Sequence, residues 1–338
     1  MTRLGVWYDF RNPSRWRLPW QQLYRETIDQ AVYAEQLGFD SIWLSEHHFT
    51  DEGYLPSVPA VLGTLAARTT RVRLGTAVLL APLHHPLRLA EDLAVVDQLS
   101  SGRLDVGLAP GYKPGEFATL GVPKRERGGR TDETIELLKL AWRGEPFSYA
   151  GRYFSFDDVV VLPPPVQRPG PPLWIGGSSL ASARRAARHG AGFMPDSGAL
   201  PEAYAAYAAG LPAGSGPGRL ATNRVLFAAE SRERAWELCG KHLLYQFNMY
   251  RQWFSDAGDA DAHGAEVTDP AVLSPDSYFI GTPDDILAAI TETQERFGYE
   301  ELIFWARPPG MPIEHSTASL ELIARHVLPA LHGTAPQD

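Results

Sequence analysis

At 338 residues, with 44% hydrophobic and 21% charged, the chain carries enough apolar material for a large globular core. A net charge of −9 denies it the basic surface that nucleic acid or an anionic membrane needs, so its expected partner is a small molecule, with no nucleic acid and no membrane. The single cysteine, Cys239, excludes an intrachain disulfide and a multi-thiolate metal site, and with no leader-like or membrane-length apolar run it points to the cytoplasm.

Eight short β-type runs alternate with segments of helical period: Leu4 to Tyr8, Ser41 to Ser45, Val72 to Leu80, Leu104 to Ala109, Leu173 to Gly176, Ala191 to Pro195, Thr222 to Ala229 and Leu302 to Ala306. Most are continuously apolar, as strands are when helices cover one face and other strand residues fill the other. Eight βα units predict closure into a (β/α)8 TIM barrel formed by residues 1–338 as a single domain with insertions. A helix follows Pro86, with Leu89, Leu93 and Val96 on one face. Another follows Thr282, where an N-cap, an N1 proline and two first-turn acids precede Ile286, Ile290, Thr293 and Phe297, with Gly298 as terminator. Two stretches break the alternation. Residues 144–172, rich in aromatics and prolines, predict a hairpin and a rigid connector; residues 250–276, rich in Gly, Asp and Ala, predict a mobile active-site loop.

Strand C-termini face the active site of a barrel enzyme, so the residues just beyond them are the functional candidates. Glu46-His47-His48-Phe49 follows the second strand, the His84-His85 segment the third, Gly111-Tyr112 the fourth and Gly176-Gly177-Ser178-Ser179 the fifth. His47, beside Glu46, is placed to exchange protons near neutral pH, tuned by that carboxylate and by burial. Adjacent strand residues point to opposite faces, so each His-His pair offers one ligand at most, and no metal site is expected. The Gly-Gly-Ser-Ser turn reads equally as a phosphate cradle at a helix N-terminus or as a plain serine N-cap. No Walker or Gly-x-Gly-x-x-Gly pattern opens a nucleotide site. Cys239 lies with Trp236, Leu243 and Phe247 at helical spacing and reads as a core thiol.

Six strings in order resemble the bacterial luciferase-like flavin monooxygenases. They are Ser41-Ile-Trp-Leu-Ser-Glu-His-His-Phe49; Arg73-Leu-Gly-Thr-Ala-Val78; His85-Pro86-Leu-Arg-Leu-Ala-Glu-Asp92; Asp97-Gln-Leu-Ser-Ser-Gly-Arg103; Pro172-Leu-Trp-Ile-Gly-Gly-Ser-Ser179 with Arg185-Ala-Ala-Arg-His-Gly190; and Ile280-Gly-Thr-Pro283. The resemblance implies a two-component enzyme using reduced FMN from a separate reductase and dioxygen, oxygenating an organic substrate through a flavin peroxide. It implies His47 as the catalytic histidine, Glu46 beside the flavin, and Ala77-Val78 as a non-prolyl cis peptide or bulge under the flavin ring. Gly176, Gly177, Ser178, Ser179 and Ser182 match the phosphate loop and Arg130 the phosphate arginine, placed just before a helix from Thr131 to Trp142, with Arg127 as the substitute. It also implies a homodimer through the early barrel helices. Tyr8, His48, Tyr54, Tyr112, Met249 and Trp305 are the expected lining of a largely apolar substrate pocket. Ala109-Pro110 departs from the cysteine and arginine that true luciferases carry after the fourth strand, which removes one phosphate contact and argues against light emission. A deazaflavin-dependent hydride-transfer enzyme, and a non-catalytic flavin-binding protein, are the alternatives.

Overall fold

The computed structural model describes residues 2–196, 201–214, 216, 218–258 and 265–333. In chain order the strands are β1 (Arg3–Tyr8), β2 (Ser41–Leu44), β3 (Arg73–Thr76), β4 (Leu79–Leu80), β5 (Leu104–Ala109), β6 (Phe147–Ala150), β7 (Ser155–Val159), β8 (Leu173–Gly176), β9 (Gly192–Met194), β10 (Ala221–Ala228), β11 (Tyr278–Gly281) and β12 (Glu301–Trp305). The helices are α1 (Trp20–Leu37), α2 (Val58–Arg68), α3 (Pro86–Leu99), α4 (Pro114–Thr119), α5 (Arg127–Ala141), α6 (Leu180–Arg188), α7 (Pro201–Gly210), α8 (Arg232–Asp256), α9 (Pro283–Phe297), α10 (Ile313–His326) and α11 (Leu328–His332).

The strands pair in the parallel order β10-β12-β1-β2-β3-β5-β8-β9, and a parallel bridge from Phe193 to Leu220 returns β9 to the start of β10. This is the eight-stranded barrel that the apolar runs predict. The sequence-predicted third strand is two pieces, interrupted at a cis peptide between Ala77 and Val78. β11 is an addition: it pairs only with the second half of β10, Val225 to Ala228, and its four residues follow a turn-rich stretch that hid them. The hairpin of β6 and β7 forms within residues 144–172 as expected.

Indoles fill the barrel. Trp7 and Trp305 pack with ring centroids 3.8 Å apart, and Trp43 meets Trp174 edge-on at 6.3 Å. Glycines make the room: a Cβ on Gly75 would stand 2.2 Å from Trp43 Cε3, and one on Gly192 2.3 Å from Trp174 Cε3. Trp43 Nε1 donates to Ser41 Oγ and to the buried carboxylate of Glu301, which satisfies the indole in an apolar interior. Alternate strand residues such as Leu4, Val6, Ile42, Leu74, Leu104 and Val106 face outward into the layer between sheet and helices. The α9 start is a full capping box, with Thr282 and Asp285 bonding each other's backbone N–H, and Gly298 ends the helix at φ 68°.

Two expectations are corrected. Residues 250–256 are not loop: Tyr250 and Trp253 bury their rings at helical spacing and carry α8 through to Asp256. Of the remainder, residues 259–264 lie outside the described residues, and two short 3-10 turns follow at Pro270–Val272 and Pro275–Ser277. Arg130 does not precede its helix but lies in the first turn of α5. Among the described residues no helix is long and apolar enough to cross a membrane.

Candidate active site

The Glu46-His47-His48 segment leaves the end of β2 with successive side chains on opposite sides. Glu46 turns under the loop after β4 and is buried. It accepts from Leu80 N–H at 2.6 Å and pairs with His48 Nε2 at 3.0 Å and His84 Nε2 at 2.8 Å. Burial works to raise its pKa, but these donors prevail and hold it at about 2, while the same pairing raises that of His84 against its own desolvation. Glu46, His48 and His84 are thereby spent on structure, and among the described residues no three His, Cys, Asp or Glu gather as a metal site.

His47 faces the barrel axis and meets a different carboxylate. Its Nδ1 is 2.8 Å from Glu116 Oε1, which also accepts the backbone N–H of His48 at 2.8 Å. The expectation that Glu46 tunes this histidine is corrected: Glu116 is the hydrogen-bonding partner, and Glu46 acts only at longer range. Burial lowers the His47 pKa below its ordinary value, and Glu116 opposes that only in part. Tyr54 meets the imidazole edge-on at 4.8 Å, Tyr112 at 5.5 Å, and Trp253 lies at 5.5 Å. Among the described residues, Glu116 Oε2 and the Tyr112 hydroxyl find no hydrogen-bond partner.

A buried polar network ties the enclosure together. Arg11, just beyond β1, donates to Glu52 at 2.8 Å and to Gln246 at 2.9 Å, and its guanidinium lies 5.1 Å from the Trp253 ring. Tyr245 completes Glu52, and the Tyr54 hydroxyl links Ser45 to Tyr250. Segments after β1 and β2 are thus locked to α8. Burial pushes the nearby Asp9 carboxyl up to about 6 even beside Arg11, and Asp9 accepts from Trp305 Nε1 at 3.0 Å.

The structure therefore gathers His47, Tyr54 and Tyr112, places Trp305 in the floor beneath them, and puts Met249 on a groove above Trp253. His48 faces Glu46 instead of this enclosure. Tyr8 is misplaced by the sequence reading: Trp7 takes the inward position, so its neighbour faces the helix layer and lines a separate cavity with Trp16, Thr27 and Arg307. Glu116, Arg11, Lys113 and Trp253 were missed. Glu116 and Arg11 lie close behind strand ends, but only the fold brings them to His47.

Val78, at the cis peptide, packs over two glycines. A Cβ on Gly176 would stand 2.8 Å from Val78 Cγ1, and one on Gly107 2.1 Å from the Thr76 carbonyl oxygen. The next turn caps α6: Ser179 Oγ accepts from Ser182 N–H at 3.1 Å, so the N-cap reading holds, while the first helical N–H groups keep no intrahelical partner. Ser178 is engaged with Asp196 at 2.5 Å. Arg185 of α6 bonds Asp132 and Gly128 O, drawing the start of α5 to this corner. There Arg130 donates to Glu126 and lies over Tyr153 and Phe154 at 5.2 and 5.5 Å.

Residues 2–300 match the model of the luciferase-like monooxygenases. The chain belongs to this family. As a luciferase-like chain it is 27% identical over 330 residues to the oxygenase component of a flavin-dependent trigonelline monooxygenase of Acinetobacter baylyi, covering 92% of this chain and 90% of that protein. It superposes on the crystal structure of monooxygenase RslO1 from Streptomyces bottropensis with a TM-score of 0.82 and 30% identity, over 98% and 100% of the two chains. An F420-dependent glucose-6-phosphate dehydrogenase of Microbacterium testaceum is 37% identical over 186 residues, 53% of this chain and 54% of that one. For other curated relatives the chain spans about half their length, 49% and 47% in two cases.

Proposed function

We propose that the chain is a monooxygenase that takes reduced FMN from a separate reductase and, with dioxygen, oxidises a largely apolar organic substrate. The observation that carries this reading is the His47–Glu116 pair sealed among Tyr54, Tyr112 and Trp253 above a glycine-cleared floor. When bound, the flavin would supply the activation of dioxygen.

The chain's own residues then have defined tasks. Gly176 and Val78 give a flat wall for a ring system, and the α6 start with Ser179, Ser182 and Arg130 offers N–H, hydroxyl and guanidinium donors for a phosphate. Ser178, already held by Asp196, contributes less than the sequence reading assigns it. With Glu116 accepting at Nδ1, the His47 proton sits on that nitrogen and the Nε2 lone pair is left to take a proton from a reacting group. Tyr54 and Trp253 exclude water around it.

The second reading, hydride transfer with a deazaflavin, is favoured by the 37% match to the deazaflavin-dependent dehydrogenase. One experiment separates the two. Purified protein is given chemically reduced FMN, labelled dioxygen and a panel of apolar substrates, and products are weighed by mass spectrometry; a parallel set receives reduced deazaflavin or substrate alcohols without oxygen. Label in product with FMN supports the monooxygenase, and oxygen-independent turnover with deazaflavin alone replaces it.

A further inference from the structure

Above the His47 enclosure lies a groove of about 470 Å³ whose floor includes Trp253 and whose walls include Phe49, Tyr245, Met249 and Lys113. Two of these residues are unusual. Phe49 sits on the loop that carries His47, is 63% exposed, and has a left-handed φ of 55°, a conformation that a bulky side chain adopts at a cost. The loop therefore displays an aromatic ring to the groove where burial would be the ordinary outcome. Lys113, the residue preceding α4, is half-buried with its ammonium 4.0 Å from the centre of the Trp253 ring. Among the described residues it has no carboxylate partner and no hydrogen bond, although an ammonium has three donors.

Among the described residues no acid of the groove forms an ion pair with it. Glu52 is committed to Arg11 and Tyr245, and Asp51 and Asp256 stand exposed at the rim, the latter accepting from Gln252. Arg17, the other cation of the groove, is turned onto the backbone oxygens of Asn12 and Asp51. Burial lowers the Lys113 pKa, and the charges of Glu116, Glu52 and Asp256 oppose that only in part. The same face is aromatic, and aromatic rings stack best on flat partners.

We propose that this groove seats the substrate and selects a planar aromatic molecule bearing a carboxylate, its ring against Phe49 and its charge on Lys113. The assignment rests on the monooxygenase reading and narrows its substrate class. Lys113 caps the start of α4, three positions ahead of Glu116, so an anion bound there is anchored at the mouth of the same short helix that orients His47.

The probes are 2-naphthoate, the neutral 2-naphthamide and the cationic 2-naphthylmethylammonium, titrated by calorimetry into the wild type, Lys113→Gln, Lys113→Arg and Phe49→Ala, with circular dichroism as the check on folding. The wild type should bind naphthoate about 10-fold more tightly than the amide, the scale of one charge-assisted contact. Lys113→Gln should abolish that preference while leaving amide binding in place, Lys113→Arg should restore it, and Phe49→Ala should weaken both ligands. No naphthoate binding by the wild type, a preference for the ammonium, or an unchanged preference in Lys113→Gln overturns the assignment. Reduced-FMN binding by the wild type is titrated separately. Its absence sinks the monooxygenase reading while the ligand preference still reports on the groove.

Discussion

His47 Nδ1 stands 2.8 Å from Glu116 Oε1 across 69 residues of sequence, and this contact decides which ring nitrogen is left to act as a base. His47→Ala should lower product formation by about 100-fold or more, the usual scale for a general acid-base group, with reduced-FMN binding held within several-fold. Glu116→Gln tests the pairing itself. The carboxylate is what raises the His47 pKa against burial, so its removal lowers an already depressed value further, and the acid limb of the rate profile moves to lower pH. The maximal rate falls by about 10-fold because the tautomer is no longer fixed. The sign for stability runs the same way: the unfolded chain takes up a proton near the ordinary 6.5 that folded His47 refuses, so stability from this group is present above that value and lost as pH falls below it. An acid limb that stays in place or moves up in Glu116→Gln contradicts the pairing.

Glu46 makes the opposite kind of contribution. Its pKa of about 2 lies below the ordinary 4.5, so its stabilisation is present above pH 4.5 and drains away as pH falls toward 2. Glu46→Ala strands the Leu80 N–H and two imidazoles in a buried pocket and should cost about 2 to 4 kcal/mol, measured by urea unfolding at pH 7. A loss below about 0.5 kcal/mol, typical of a surface change, would show that the pocket admits water.

The difference between these two adjacent residues explains what the sequence made legible. Runs such as Leu104 to Ala109 and Leu173 to Gly176 are bounded to the residue because buried parallel strands are apolar on both faces. The His47 position was legible because it follows a strand end. Glu116 was not: a lone glutamate on the six-residue α4 looks like any first-turn acid, and only barrel closure brings it to His47. Nothing local to Arg11 announces that Glu52 and Gln246 from two other segments will enclose it. α8 outran its expected end because Tyr250 and Trp253 find ring partners that composition does not reveal.

The glycine floor makes a structural prediction. Gly107→Ala would drive a Cβ to 2.1 Å from the Thr76 carbonyl oxygen, which belongs to the barrel backbone and has little freedom to retreat. It should destabilise the fold by about 2 to 3 kcal/mol. Gly176→Ala meets the stiffer branch of Val78 at 2.8 Å, displaces that side chain into the proposed ring site, and should weaken reduced-FMN binding more than it lowers the unfolding midpoint. Equal, small effects from both substitutions would remove the floor from the binding site.

Arg130 provides the test of where a flavin phosphate rests. Its guanidinium is half-shielded by Tyr153 and Phe154 and, among the described residues, pairs with Glu126 alone, so a phosphate can compete for its remaining donors. Arg130→Ala should weaken reduced-FMN binding by about 2 kcal/mol, the scale of a charge-assisted hydrogen bond, and leave reduced riboflavin nearly untouched, because riboflavin lacks the phosphate. Ser179→Ala should act in the same direction and less strongly, since the backbone N–H groups at the start of α6 remain, but it should also cost about 1 kcal/mol of stability through the lost N-cap. Ser178→Ala should have the smallest effect of the three, its hydroxyl being already given to Asp196. Anaerobic titration of both flavins into each variant reads the outcome: equal losses for FMN and riboflavin mean that these residues shape the pocket in general, and no loss for either moves the phosphate toward Arg127, the other arginine at the start of α5.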